Sequence, residues 1–181
     1  MKKAVALFWS GGKDAALTLH KLQQSNTYEP KVLICTINSE LKKVAMHGVP
    51  ERLIELQAKS IGLPLLKMYL PADSGNDSYE SLFLNCLEDV KSIGIKHVAF
   101  GDIFLEDLRA YREDLMEKAN MVAVFPIWDK DSTKIINEYL SLGFKSITCS
   151  VDSKLLSDDY LGIEINDEFV NNLPEGVDSC G

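Results

Sequence analysis

The sequence predicts a doubly wound α/β fold, in which a parallel sheet of five to six strands carries helices on both faces. Short apolar runs alternate about five times with segments of helical periodicity, the pattern of a parallel sheet with crossover helices. The first two runs are almost continuously apolar, as expected for strands buried on both faces. A chain of 181 residues, 46% of them hydrophobic, is long enough to enclose such a core.

The apolar runs locate the predicted strands, and helical spacing locates the helices. The strands are predicted at Ala4–Trp9, Val32–Ile37, Leu63–Leu70, Lys96–Phe100, Val122–Phe125 and Ser146–Cys149. Apolar residues at i, i+4 and i+7 define the first two helices: Ala15, Leu19 and Leu22, then Ile54, Ala58 and Ile61. Asp77 with Glu80 resembles a capping box before a helix over 81–93. Asp131 or Ser132 is suited to cap a later helix that Gly143 ends.

Composition and charge argue against several classes of protein. No apolar run approaches about 18 residues, so no membrane span is expected. The formal net charge of −8 argues against broad binding to nucleic acid, which relies on Lys and Arg. The four cysteines form no CxxC pair, so neither a disulfide framework nor a cysteine metal cluster is expected. A reducing, cytoplasmic setting fits this cysteine pattern best.

The alternation of strand and helix stops after Asp152, which predicts two parts. Residues 1–152 are expected to form the α/β domain, and residues 153–181 a less regular C-terminal appendage. The polar segment Pro71–Asp77 is interpreted as a loop of the domain and not as a linker.

The stretch FWSGGKDAAL, residues 8–17, joins the first strand to the first helix and is suited to bind phosphate. A helix N-terminus offers unpaired N–H groups and a partial positive charge, and glycines let the backbone wrap closely around an anion. Ser10 adds a hydroxyl and Lys13 a positive charge, whereas Asp14 is suited to cap the helix or to reach a phosphate-bound Mg²⁺.

The spacing within this stretch excludes two common phosphate loops. A Walker loop requires Gly and then Ser or Thr where this chain has Leu7 and Asp14. The dinucleotide pattern GxGxxG is excluded because Gly11 and Gly12 are adjacent. The stretch instead resembles the PP-loop, SGGxDS, of the ATP pyrophosphatases, with Ala15 in place of the final serine.

The resemblance to the PP-loop implies a cofactor and a set of ligands. These enzymes cleave ATP between the α- and β-phosphates, so ATP and Mg²⁺ are expected, with Asp14 as the metal ligand. The residues implied in nucleotide binding are Ser10, Gly11, Gly12, Lys13, Asp14 and Ala15. Lys13 is also the implied catalytic cation.

A second resemblance covers nearly the whole chain. The segments FGDIFLEDLRAYRE (100–113), MHGVP (46–50), PIWD (126–129) and GVDSCG (176–181) are similar to the diphthine–ammonia ligase-like branch of the PP-loop ATPases, in its bacterial-type form. This implies a Rossmann-like fold of the HUP type. Relatives continue past the last segment into a Glu-Asn-Gly-Glu-like substrate motif, so residues 153–181 are expected to begin a substrate-binding region.

Three charged residues after the fourth predicted strand are candidate catalytic residues. Arg109 and Arg112 are suited to clamp an anionic substrate or to stabilise the charge of an adenylyl transition state. The alternative is local pairing, of Glu106 with Arg109 and of Arg109 with Glu113. Asp102 is suited to hold substrate or Mg²⁺, or alternatively to cap the next helix.

Further candidates for nucleotide contact follow the strands. Gly101 ends the fourth predicted strand, where ligands of such sheets bind. Thr36 and Ile37 end the second and are expected near adenine. The resemblance places His47 beside the nucleotide, although a lone histidine is more often an exposed loop residue.

The sequence thus predicts an ATP-dependent, AMP-forming carbon–nitrogen ligase. A substrate carboxylate, on a small molecule or a protein side chain, would be adenylated and then converted to an amide by ammonia or an amine. The alternatives are a non-catalytic nucleotide-sensing module and a PP-loop RNA-modifying enzyme. Homodimer formation is left open.

Overall fold

The chain divides into two units, Met1–Trp128 and Asp129–Gly181. The computed structural model describes residues 1–71 and 75–180, and of Asn76 and Asp77 the backbone alone. Residues 72–74 of the predicted loop, and the last glycine of the GVDSCG segment, lie outside the described residues. The predicted division after residue 152 stays a prediction.

Strands and helices alternate along the first unit, as the periodicity of the sequence predicts. The strands are β1 (Lys3–Phe8), β2 (Tyr28–Asn38), β3 (Lys43–Val44), β4 (Leu65–Leu70), β5 (His97–Ala99) and β6 (Val122–Val124). The helices are α1 (Lys13–Gln24), α2 (Glu51–Ile61), α3 (Asn76–Ser92) and α4 (Glu106–Lys118). None of the helices in the described ranges is both long and apolar enough to cross a membrane.

The parallel strands lie in the order β4, β2, β1, β5, β6. From β1 the chain moves outward through β2 to β4, and then returns to the other side of β1 for β5 and β6. This is the doubly wound sheet that the sequence predicts. Its topological switch point lies between β1 and β5, where the two directions of winding diverge and ligands of such sheets bind.

The short strand β3 extends the sheet beyond the end of β1. It runs antiparallel to the last residues of β2, where Ile37 and Asn38 pair with Val44 and Lys43. Because β4 pairs with the same residues of β2 from the opposite side, β3 lies on the side of β1. The segment after β3 therefore sits next to the loop that leaves β1.

Apolar residues of the sheet alternate between two faces, and each face packs under two helices. One face carries Val5, Leu7, Leu33 and Cys35 against α1 and α2. The other carries Ala6, Val32, Ile34 and Met68 against α3 and α4. Side chains of a strand point alternately to opposite faces, so the continuous apolar runs in the sequence supply both cores.

Two helix starts test the capping predictions. Helix α3 begins at Asn76 after Gly75, so Asp77 lies inside the first turn and the predicted capping box is wrong. In the second unit, α5 (Ser132–Ser141) begins after Asp131, whose side chain accepts a hydrogen bond of 2.9 Å from the Lys134 N–H. Gly143, with φ of 76°, follows its end as predicted.

The prediction of a sixth parallel strand at Ser146–Cys149 is wrong. In the second unit, Ile147 forms an isolated antiparallel bridge with Glu164. The side chain of Ile147 is 64% exposed, so this short run does not supply the two-sided apolar surface that a central parallel strand requires. The rest of the unit contains a 3₁₀ turn at Asp158–Tyr160 and the short helix α6 (Asp167–Asn171).

Candidate functional site

The loop between β1 and α1 turns sharply at Gly11, whose φ is +82°. A Cβ at this position would lie 2.6 Å from Ile54 Cδ1 and 2.7 Å from Gln57 Oε1, both on α2. The left-handed backbone therefore favours glycine at this position, and a Cβ would in addition force the side-chain ends of Ile54 and Gln57 to shift. At Gly12 the φ is −88° and the nearest atom would be Ser10 Oγ at 3.4 Å.

The loop places the Ser10 hydroxyl beside the N-terminus of α1. Gly12 is the N-cap of α1, and Ser10 Oγ accepts a hydrogen bond of 3.3 Å from the Gly12 N–H. The Ser10 hydroxyl therefore lies next to the first backbone amide at the start of the helix. Such amides have no partner within the helix and carry the positive end of its dipole.

Lys13 and Asp14 form an ion pair in the first turn of α1. Lys13 Nζ lies 3.1 Å and 3.0 Å from the two carboxylate oxygens of Asp14, and the side chains are 12% and 31% exposed. Gly12 and not Asp14 holds the N-cap position, so the predicted capping role of Asp14 is wrong. Its carboxylate is instead kept close to the lysine that the sequence predicts to contact phosphate.

Ala15 lies in the core and does not line the surface of the loop. Its side chain is 4% exposed and packs in the apolar cluster between the sheet and α1. Only its backbone N–H, within the first turn of α1, is available for the predicted role in nucleotide binding.

Gln57, which sequence reasoning missed, connects α2 to the loop. Its Oε1 accepts a hydrogen bond of 2.9 Å from Trp9 Nε1, and its Nε2 donates one of 3.2 Å to the Gly11 carbonyl. Trp9 precedes the loop and is 5% exposed. No local pattern indicates this contact, because Gln57 and Gly11 are 46 residues apart in the sequence.

Gly101 brings the end of β5 against the start of α1. A Cβ on this residue would lie 3.2 Å from the Asp14 carbonyl carbon and 3.3 Å from the Ala15 nitrogen. The absence of a side chain at Gly101 therefore allows two backbone segments to pack closely. This contact joins the loop to the segment after β5. Both lie at the switch point of the sheet.

Asp102 and Arg112 form a half-buried ion pair beside this contact. Arg112 Nε lies 2.6 Å from one carboxylate oxygen of Asp102 and Nη2 lies 3.4 Å from the other. The guanidinium carbon is 4.6 Å from the ring centre of Phe100 and 5.9 Å from that of Phe8. Leu105 is the N-cap of α4, so the alternative in which Asp102 caps that helix is wrong.

Tyr79 of α3 adds a neutral aromatic group beside Arg112. Burial raises the pKa of the Tyr79 phenol, an effect that the neighbouring positive charge of Arg112 opposes. The phenol is therefore uncharged at neutral pH. The carboxylate of Asp102 provides the counter-charge to Arg112, within a largely aromatic surrounding.

Arg109 lies one helical turn away and has different partners. Its Nε lies 2.8 Å from Glu113 Oε1, the local i, i+4 pair that the sequence offered as an alternative. Its guanidinium carbon lies 4.7 Å from the ring centre of Trp128 and 5.0 Å from that of Phe125. Trp128 thus stacks on a cation at the end of the first unit.

Thr36, Ile37 and His47 differ in their access to a ligand. The side chain of Ile37 is fully buried in the core, and its place near adenine stays a prediction. Thr36 is half-buried, and its carbonyl accepts a hydrogen bond of 2.9 Å from the Ala45 N–H. His47 is exposed after β3, and its Nδ1 lies 3.1 Å from the Ala45 carbonyl.

The donor set of the loop fits a metal ion that is held partly by phosphate. Within the described residues, no group of three or more His, Cys, Asp and Glu side chains is arranged to hold a metal ion. Mg²⁺ is commonly bound by one or two carboxylates together with phosphate oxygens and water. Asp14, in the first turn of α1, is a carboxylate that could take this role beside a bound phosphate.

The first 122 residues match the model of a family described as the diphthamide synthase N-terminal domain. The match is more than half of the chain, and it includes the glycine loop and the Asp102–Arg112 pair. The chain belongs to the diphthamide synthase N-terminal domain family. This family assignment confirms the resemblance to the PP-loop ATP pyrophosphatases and indicates an enzyme, or a subunit of one, that uses ATP in adenylation-type chemistry.

A solved structure supports the fold of this diphthamide synthase-type domain. It is the crystal structure of a predicted subunit of tRNA methyltransferase from Methanocaldococcus jannaschii, with a TM-score of 0.50 and 18% sequence identity. The alignment covers 76% of this chain and 75% of that chain. At this identity the likeness concerns the fold alone. No curated protein sequence matches the chain.

Proposed function

We propose that this protein binds ATP at the loop between β1 and α1 and adenylates a carboxylate for amide formation with ammonia or an amine. The observation that carries the proposal is the loop itself, in which Gly11 and Gly12 open the N-terminus of α1 at the switch point of the sheet. Membership of the diphthamide synthase N-terminal domain family supports a diphthine–ammonia ligase-like reaction. We place the chain in the bacterial-type branch because of its LEDLR segment.

The loop would hold the β- and γ-phosphates of ATP. Ser10 Oγ, the Gly12 N–H and the following amides of α1 would donate to phosphate oxygens, and Lys13 would neutralise their charge. Lys13 would exchange part of its contact with Asp14 for phosphate. Asp14 would then hold Mg²⁺, which supplies charge neutralisation for the departing pyrophosphate.

The proposed reaction has two steps. A carboxylate oxygen of the acceptor attacks the α-phosphorus, and the bond to the bridging oxygen of pyrophosphate breaks. Ammonia or an amine then attacks the acyl carbon, loses a proton, and expels AMP. Positioning and charge neutralisation are the main contributions of the protein to such a reaction.

Arg112 is the residue that we propose to receive the acceptor carboxylate or the developing charge on the α-phosphate. Asp102 orients Arg112, and the rings of Phe8 and Phe100 pack against its guanidinium. Arg109, with its partners Glu113 and Trp128, is proposed as a second acceptor contact. Gly101 allows this group to approach the loop.

Product analysis tests the reaction. The full chain, incubated with ATP, Mg²⁺, ammonium and candidate carboxylates, is expected to form AMP and pyrophosphate. Lys13→Ala and Gly12→Val should each weaken ATP binding by about tenfold or more, since each removes or blocks hydrogen bonds to a charged group. Both variants should keep the circular dichroism spectrum of the wild type. Formation of ADP and phosphate, or unchanged ATP affinity in both variants, would contradict the proposal.

A non-catalytic nucleotide-sensing module is the second candidate, because Ala15 removes the hydroxyl that the PP-loop pattern carries at this position. Such a module would bind ATP at the same loop and release no AMP with any acceptor. An RNA-modifying enzyme whose nucleophile is Cys35 or Cys86 is less well supported. Burial raises the pKa of the thiols of Cys35 and Cys86 to about 12, so neither forms a thiolate at neutral pH.

A further inference from the structure

The side chain of Gln57 on α2 forms two hydrogen bonds to the segment that contains the glycine loop. Its side-chain amide spans the gap between Trp9 Nε1, at 2.9 Å, and the Gly11 carbonyl, at 3.2 Å. The indole nitrogen can only donate a hydrogen bond, so Gln57 must present its oxygen to Trp9. Its NH₂ group is thereby directed to the carbonyl of Gly11.

The hydrogen bond to Gly11 determines the direction of the next amide. The Gly11 carbonyl and the Gly12 N–H belong to one trans peptide group and point to opposite sides of it. When Gln57 holds the carbonyl towards α2, the Gly12 N–H must point away from α2. In the structure this N–H donates a hydrogen bond of 3.3 Å to Ser10 Oγ.

This peptide group is the one in the loop that rotates most easily. It lies between two glycines, and glycine populates positive and negative φ with similar ease. A rotation of the peptide would replace the N–H at the helix start by a carbonyl oxygen, which repels an anion. Within the loop, only the long hydrogen bond of 3.3 Å to Ser10 Oγ is described for this amide, and the contact of Gln57 with the Gly11 carbonyl adds a second restraint from outside the loop.

We infer that Gln57 is a positioning residue for phosphate binding, which acts by holding the Gly11–Gly12 peptide with its N–H directed at the phosphates of the nucleotide. The inference rests on the proposed function, since it concerns the same loop. In this role Gln57 would act through the Gly11 carbonyl and not through a contact of its own with phosphate. Trp9 orients Gln57, so α2 and the end of β1 together set the geometry of the loop before the nucleotide binds.

Binding of three ligands to the full chain tests this role. Dissociation constants for ATP, inorganic pyrophosphate and AMP are measured by isothermal titration calorimetry in the presence of Mg²⁺. Gln57→Met is neutral and of similar length but cannot donate. It should raise the dissociation constants for ATP and pyrophosphate about tenfold, and that for AMP by no more than about twofold.

Two further variants serve as controls. Trp9→Phe removes only the bond that orients Gln57, so it should weaken ATP binding less than Gln57→Met does. Gln24→Met makes the same chemical change at an exposed position in the last turn of α1 and should leave all three affinities unchanged. If Gln57→Met does not fold, Gln57→Leu replaces it, since leucine is also neutral and cannot donate to Gly11.

The possible results separate this inference from the proposed function. If the wild type binds ATP and Gln57→Met binds ATP and pyrophosphate equally well, Gln57 has no positioning role and the proposed function stands. Equal losses for pyrophosphate and AMP would show a general structural defect and also overturn the inference. If the wild type binds neither ATP nor pyrophosphate, both proposals fail.

Discussion

Gly11 and Gly12 are adjacent, yet they differ in backbone conformation and in how much space surrounds them. Gly11 has φ of +82° and is enclosed by Ile54 and Gln57, whereas Gly12 has φ of −88° and faces open space beyond Ser10 Oγ. The first glycine therefore serves the fold of the loop. The second keeps its surface free of side-chain atoms, so a phosphate can approach.

We expect Gly11→Ala to lower the free energy of unfolding by about 2 kcal/mol, because alanine is strained at positive φ and its Cβ would collide with α2. Gly12→Ala is the matched control and should cost less than about 1 kcal/mol, since its backbone suits any residue. Urea unfolding followed by circular dichroism measures both. Equal costs at the two positions would contradict the described loop geometry.

At the scale of elements, a cluster of charged and phenolic groups attaches α2 to the edge strand β4. Glu51 Oε1 lies 2.8 Å from Lys67 Nζ and accepts a hydrogen bond of 2.5 Å from the hydroxyl of Tyr69. Lys67 Nζ also lies 2.6 Å from Glu55 Oε1. The hydrogen bonds from Lys67 and then Tyr69 hold the pKa of Glu51 below its usual value.

This lowered pKa predicts a pH-dependent contribution of Glu51 to stability. A carboxyl group whose pKa is lower in the folded than in the unfolded state stabilises the fold above the unfolded pKa. That contribution is lost as the pH falls through the folded pKa. Glu51→Gln should therefore lower the free energy of unfolding by about 1 kcal/mol at neutral pH, and by less as the pH falls below 4.5.

The measurement is urea unfolding of the wild type and Glu51→Gln at neutral pH and at about pH 3.5. Glu55→Gln is the control, because Glu55 is 49% exposed and should contribute less. A difference between wild type and Glu51→Gln that is the same at both pH values would show that the ion pair does not stabilise α2.

At the scale of the whole molecule, both apolar clusters that flank the sheet lie within the first unit. Their members extend from Ala4 to Phe125, so the fragment Met1–Trp128 contains every residue of the two cores. We expect this fragment to fold and to unfold cooperatively on heating. The helices α1 to α4 already cover both faces of the sheet within it.

Circular dichroism during heating tests this expectation and also the predicted domain boundary. Fragments 1–128 and 1–152 are compared with the full chain. Cooperative unfolding of both fragments would show that the sheet needs nothing after Trp128. Cooperative unfolding of the longer fragment alone would support the division after residue 152, in which α5 belongs to the sheet domain.

Sequence periodicity located the five parallel strands and the helices α1 and α2 of the first unit, whereas the short antiparallel strand β3 was not predicted. Continuous apolar runs and i, i+4, i+7 spacings are local properties, and they indicate buried parallel strands and amphipathic helices directly. The same reasoning failed at Ser146–Cys149, because a four-residue apolar run does not show whether it can pair with a neighbouring strand of the sheet. The pairing of a strand is a tertiary property.

By itself, the sequence determined the class of fold and the position of the glycine loop that we propose to bind phosphate, since SGGKD between a strand and a helix is a local signal with a direct physical meaning. Only the tertiary structure decided the partners of that loop. Gln57 reaches Gly11 across 46 residues, and Gly101 meets the start of α1 at the switch point. Arg112 pairs with Asp102 in preference to the acidic residues along its own helix. Such contacts depend on the order of strands and the faces that the helices cover, and a pattern read along the chain does not contain that information.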